Sequence, residues 1–162
     1  AGRQAGGTHC RGVVKVNAVH VSFQRYAADV VLPDYATAGA AGMDIAAYID
    51  APVTLAPFER AAIATGFAMQ LPDGYEAQIR PRSGLALKYG VTVANAPGTI
   101  DSDYRGEVAV ILINLSQQSV TITPGMRIAQ MVIAPIARCV RQEQSQLDIS
   151  DRGDGGFGST GF

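Results

Sequence analysis

Histidine is almost missing from this 162-residue sequence, with His9 and His20 the whole supply. Two imidazoles cannot build a multi-histidine metal site, and neither an HExxH site nor a Ser-His-Asp triad can readily form around them. Cysteine is equally scarce. Cys10 and Cys139 lie far apart and lack the paired spacing of zinc ligands or a redox dithiol, which points to a reducing, cytoplasmic setting. Any metal must then be a hard cation held by oxygens, largely those of a ligand. Among the thirteen basic residues only Lys15 and Lys88 are lysine. Arginine, whose planar fork fits phosphate oxygens, supplies the rest, although a GC-rich genome produces the same bias. Acids and bases nearly cancel to a formal net charge of −1, so no positive field would hold polyanionic nucleic acid. No apolar run approaches the roughly 20 residues that span a bilayer, and a soluble protein without a membrane partner is expected.

Apolar residues make up 48% of the chain, enough for the core of one domain. Residues 1–12 are glycine-rich and polar and read as a disordered extension. From Val13 to about residue 150, short β-branched runs are broken by glycine and proline, the pattern of an all-β antiparallel barrel or sandwich. Alternation over Ile63, Thr65, Phe67, Met69 and Leu71, a Pro72-Asp73-Gly74 turn, and alternation again over Tyr75, Ala77 and Ile79 predict a hairpin. Val108 to Leu115 is apolar on both faces, as in a strand covered by a core and by a neighbouring subunit. Val120 to Thr123, Ile128 to Ala134 and Ala137 to Val140 read as further strands. The single helical candidate runs from Ser83, as N-cap, to Tyr89, with Leu85 and Leu87 as its apolar positions and Gly90 to stop it. Residues 151–162 hold too few apolar groups to pack alone and read as a mobile tail.

Five segments carry candidate chemistry. Pro81-Arg82-Ser83-Gly84 places a guanidinium, a hydroxyl and helix-start amides together, a local anion site or simply a capped helix. Gly98 to Gly106 (GTIDSDYRG) reads as a hairpin tip with two carboxylates and a ring, either a general base beside a stacking platform or a solvated loop. Arg152 and Phe157 among glycines suit a lid that orders over a ligand, or a terminus with no role. The stretches around Asp44 and around Arg127 and Gln130 say little singly.

In this order and spacing the five segments resemble the five motifs of the trimeric dUTPase family, from about Val21 to Gly161. PRSG, GTIDSDYRGEV and RGDGGFGSTG are specific together; the other two are softer. The resemblance implies a jelly-roll-like β-barrel of the dUTPase-like β-clip kind with one short helix, assembled as a homotrimer whose three sites draw on all three subunits. It implies hydrolysis of dUTP to dUMP and diphosphate with Mg²⁺, which lowers dUTP and supplies dUMP for thymidylate synthesis. By position, Asp101 matches the carboxylate that deprotonates the attacking water, a role open to an aspartate ionised at neutral pH. Tyr104 would pack on the deoxyribose and leave no room for a 2′-hydroxyl; Asp103 has no family role. Asn95, Gly98, Thr99, Ile100 and the backbone at Ala109 match the uracil pocket. Arg82, Ser83, Gly84 and Gln130 match the phosphate site, Asp44 the acid that reaches the metal through water, and Arg127 a role that could be structural. Arg152, Phe157, Gly158, Ser159 and Thr160 match the closing tail. A dCTP deaminase, a bifunctional relative and a non-catalytic trimeric module are the alternatives.

Overall fold

The structure is a computed structural model that describes residues 18–156. In chain order the strands are β1 (Ser22–Arg25), β2 (Asp34–Tyr35), β3 (Met43–Ala46), β4 (Val53–Leu55), β5 (Arg60–Gln70) and β6 (Tyr75–Pro81). Helix α1 (Ser83–Tyr89) follows, then β7 (Val91–Val93), β8 (Gly98–Ile100), β9 (Glu107–Asn114), β10 (Val120–Ile122) and β11 (Arg127–Pro135). They form a four-stranded sheet of order β1-β5-β9-β7, a five-stranded sheet of order β2-β3-β11-β6-β8, and the β10-β4 pair, all antiparallel. Alternation explains the core. Ile63, Phe67, Val110 and Leu112 from one large sheet and Ile45, Ala77, Ile79 and Met131 from the other belong to a single buried cluster. The all-β, one-helix expectation is met.

Several local expectations are corrected. The strands around the Pro72-Asp73-Gly74 turn do form, but β5 and β6 lie in different sheets and do not pair, so there is no hairpin. The same holds around Asp101, where the segment from 101 to 106 links β8 in one sheet to β9 in the other. Period-two alternation identifies a strand without identifying its neighbour, and both links serve as corners between the layers. Ala137 to Val140 forms no strand, and Val140 is fully accessible in the single chain. No pairing partner from the described residues reaches it.

Helix α1 begins one residue earlier than expected, at the residue predicted to cap it. Arg82, in extended conformation (φ −90°, ψ 125°), is the N-cap and makes no side-chain cap bond, while Ser83 is the first helical residue. Leu85 is buried but Leu87 is exposed. Gly90 ends the helix as expected, left-handed at φ 67° with its amide returned to Ala86 O. A side chain there would also meet Ser116 Cβ at 2.9 Å. In the single chain strand β9 buries Val108, Val110, Leu112 and Asn114 on one face, while Ala109 and Ile111 on the other, the face expected to meet a neighbouring subunit, are exposed.

Phe58 has no counterpart in the sequence expectations. It occupies φ 64° in the Ala56-Pro57-Phe58-Glu59 turn, closed by Glu59 N–H donating to Ala56 O at 3.0 Å. Proline at the second position and a left-handed third residue define a turn that favours glycine at the third. The ring is 61% exposed, so little burial offsets the strain. Phe58→Gly is therefore expected to raise stability by about 0.5–1 kcal/mol, strain relief exceeding the added entropy of the unfolded chain. An unmoved or lower urea midpoint would show that the ring is covered in the assembled protein.

Candidate active site

One cluster forms where β3, β11 and the start of α1 meet. Asp44 on β3 stands opposite Gln130 on β11, which in turn stands opposite Arg80 on β6. The Asp44 carboxylate is held from both sides: Arg82 Nε donates to Oδ1 at 3.1 Å and Arg127 Nη1 to Oδ2 at 2.9 Å. Arg82 Nη1 also donates to Arg127 O at 3.0 Å. The guanidiniums are partly exposed, so each pair stabilises the fold by no more than about 1 kcal/mol. Their electrostatic consequence is larger than their stabilising one. Two cations around one anion leave the cluster positive, beside the exposed Ser83 and Gly84 at the start of α1. Sequence order alone gives no sign that Arg127 pairs with Asp44, because 83 residues separate them.

A second cluster lines a pocket of about 320 Å³ between the β8–β9 link and the outer face of β9. Thr99, Ile100, Asp101, Tyr104 and Ala109 line it, together with Glu107 and Ile111, which the motif reading did not assign. Asp101 and Tyr104 are exposed, and Tyr104 N–H donates to Asp101 O at 3.2 Å, closing the link into a turn. Asn95 packs against Gly98: a Cβ at 98 would lie 3.2 Å from Asn95 Nδ2 and 3.3 Å from Ile79 Cβ. The pocket combines an apolar wall, one ring and one free carboxylate edge, which suits a flat ring and a sugar better than a polyanion.

Within one chain the two clusters stand apart. Ala77 pairs with Ile100, so Asp101 falls beside Glu76, whereas Arg82 lies six residues further along the same strand direction. At 3.3 Å per residue that is about 20 Å. Arg152 joins neither cluster; its Nε donates to Gly155 O at 2.7 Å within the turn that follows Asp151. Phe157, Gly158, Ser159 and Thr160 lie outside the described residues. A larger cavity of about 800 Å³, near the C-terminal end of α1 and β10, holds none of the predicted site residues, and Lys88 is its only charged side chain.

This arrangement can be compared with known proteins. Residues 28–161 match the dUTPase family model. A deoxyuridine 5′-triphosphate nucleotidohydrolase of Hydrogenobaculum sp. is 60% identical over 134 residues, covering 83% of this chain and 92% of that protein. One from Caulobacter vibrioides is 56% identical over 145 residues, covering 87% and 94%. Among solved structures, the dUTPase of Staphylococcus bacteriophage 80alpha with dUpNHpp superimposes with a TM-score of 0.80 at 26% identity, covering 88% of this chain and 99% of that one. Sequence motifs, sheet topology and these likenesses converge, and the chain belongs to the dUTPase family.

Proposed function

We propose that the protein hydrolyses dUTP to dUMP and diphosphate as a homotrimer. The observation that carries this reading is the separation of the two clusters along β6. Backbones about 20 Å apart, with the Arg82 guanidinium turned onto Asp44, set the Asp101 carboxylate too far away for the two to meet readily at one phosphorus. This favours a site completed when the Asp101 pocket of one copy meets the Arg82 cluster of another. The exposed apolar face of β9, and the exposed Val140, Leu147 and Ile149 beyond the last strand, are surfaces that such contacts would cover.

In the assembled site, uracil rests against Gly98, Thr99 and Ile100 with Asn95 and the Ala109 backbone, and Tyr104 packs on the deoxyribose. Hydrogen bonding to one edge of the base discriminates strongly, because the wrong base leaves polar groups unpaired. Arg82, Ser83, Gly84 and Gln130 hold the triphosphate, and the Ser83 hydroxyl donates toward the α,β-bridging oxygen. Asp101 orients a water and accepts its proton as the water oxygen bonds to the α-phosphorus and the bond to the bridging oxygen breaks, releasing diphosphate. Arg152, Phe157, Gly158, Ser159 and Thr160 close over the nucleotide, the ring on uracil and the polar groups on the γ-phosphate. Closure excludes bulk water.

The residues present fit Mg²⁺ in a limited way. Among the described residues no three His, Cys, Asp or Glu side chains form a metal-holding group. Asp44 is a lone carboxylate with both oxygens already accepting from Arg82 and Arg127, so it fits a cation only at second hand, one that keeps its waters and takes direct ligands from phosphate. Once bound, Mg²⁺ would neutralise phosphate charge; Asp44 would hold it through water. Among the described residues no helix is long and apolar enough to cross a membrane. The free, exposed thiol of Cys139 suits a reducing cytoplasm.

One experiment tests the whole reading: diphosphate release from dUTP, dCTP, dTTP and UTP, with solution mass measured on the same sample. Release confined to dUTP by a species of three chains is expected. Deamination of dCTP, or activity in a stable monomer, would reverse it.

A further inference from the structure

We propose that Gly106 and Glu107 are positioning residues for sugar selectivity, holding the Tyr104 ring where it excludes a 2′-hydroxyl. The inference rests on the role given to Tyr104 above and concerns what fixes that ring. Tyr104 is 46% exposed, and an exposed ring on a link between sheets ordinarily changes rotamer within picoseconds to nanoseconds. A wall must stand still.

Two contacts immobilise it. Its Oη donates to Glu107 O at 3.0 Å. Its ring also lies directly over Gly106: a Cβ built there would overlap Oη and come within 2.6 Å of Cζ and 3.0 Å of Cε2. An aromatic ring has only two torsions and no flexible end, so a methyl at 106 cannot be absorbed locally and the whole side chain must swing out. Glycine at 106 is not there for its backbone, because the positive-φ glycines are Gly66, Gly74, Gly90, Gly125 and Gly153. The ring contact accounts for it instead.

Glu107 is anchored in turn. Its Oε1 accepts Gly66 N–H at 2.8 Å, and Thr65 Oγ1, buried beside it, donates to Val108 O. Both donors sit in a β5 irregularity, where the register jumps from Ala64 opposite Ala109 to Ala68 opposite Glu107. Such bulges re-aim side chains beside functional sites. Here the bulge turns two β5 groups onto the start of β9, which fixes the carbonyl that receives Tyr104.

The test is kcat/KM for dUTP and for UTP in the full chain, in Tyr104→Ala, in Gly106→Ala and in the double variant, with thermal melts of each. Tyr104→Ala should reduce the dUTP/UTP ratio, and Gly106→Ala should reduce it by about tenfold or more, as displacement of a site group by an ångström does. The double variant should match Tyr104→Ala alone, because without the ring the extra methyl meets nothing. If Gly106→Ala does not fold, the double variant should fold again; a double variant that also fails overturns the proposal. So does a Gly106→Ala enzyme that is slower on both nucleotides with an unchanged ratio. If Tyr104→Ala itself keeps the ratio, the sugar-wall role of Tyr104 fails first, an outcome distinct from failure of Gly106→Ala alone.

Discussion

Asp101→Asn is expected to slow dUTP turnover by about 10² to 10⁴ while leaving nucleotide affinity close to normal. The amide keeps the shape of the carboxylate and can still touch a water, but it cannot take the proton that must leave as the oxygen attacks phosphorus. Binding should survive because the groups assigned to base, sugar and phosphates lie elsewhere: Thr99, Ile100 and Tyr104 around the same pocket, Arg82 and Gln130 on the other cluster. Single-turnover rates, with the affinity for dUpNHpp measured separately, divide the two effects. Near-normal turnover would remove Asp101 from the mechanism.

The largest stability loss is expected away from the site, at Asn114. This side chain is fully buried at the end of β9 and uses every hydrogen-bonding group it has. Nδ2 donates to Leu55 O at 2.9 Å and to Gln118 O at 2.7 Å, while Oδ1 accepts from Ser116 N at 2.9 Å and Ser116 Oγ at 2.8 Å. One amide thus ties β4, β9 and the loop before β10 together. Asn114→Leu keeps the branched shape but is bulkier and orphans these partners; one or two left buried cost about 1–3 kcal/mol each and overpacking adds to this, so a loss of about 3–5 kcal/mol is expected. Urea unfolding at fixed protein concentration would measure it; a change below about 1 kcal/mol would mean that water reaches the site and replaces the amide.

Asn114 also marks the limit of what could be read from the chain. Within a run as apolar as VAVILINL, one asparagine looks like the end of a strand; only the fold shows that it is a junction. Elements with a local cause were legible: the alternation of β5 and β6, the helix α1 and the left-handed stop at Gly90. Non-local relations were not. The turns at 72–74 and 101–106 read as hairpins because turn chemistry is local, whereas the choice of sheet depends on where Phe67 and Ile79 find partners. The pairing of Arg127 with Asp44 and the β5 bulge behind Tyr104 have no local signature. The motif residues were found because their order along the chain resembles a family; their division into two clusters appeared only once β6 was paired with β8.

That division has a genetic corollary. If each working centre borrows its halves from different copies, a cell making both Asp101→Asn and Arg82→Ala chains would assemble some mixed oligomers in which an intact half meets an intact half. Two individually dead alleles would then complement each other. Conversely, a chain carrying both lesions would spoil two centres, one for each half it lends, so its dominance would exceed its share of the pool.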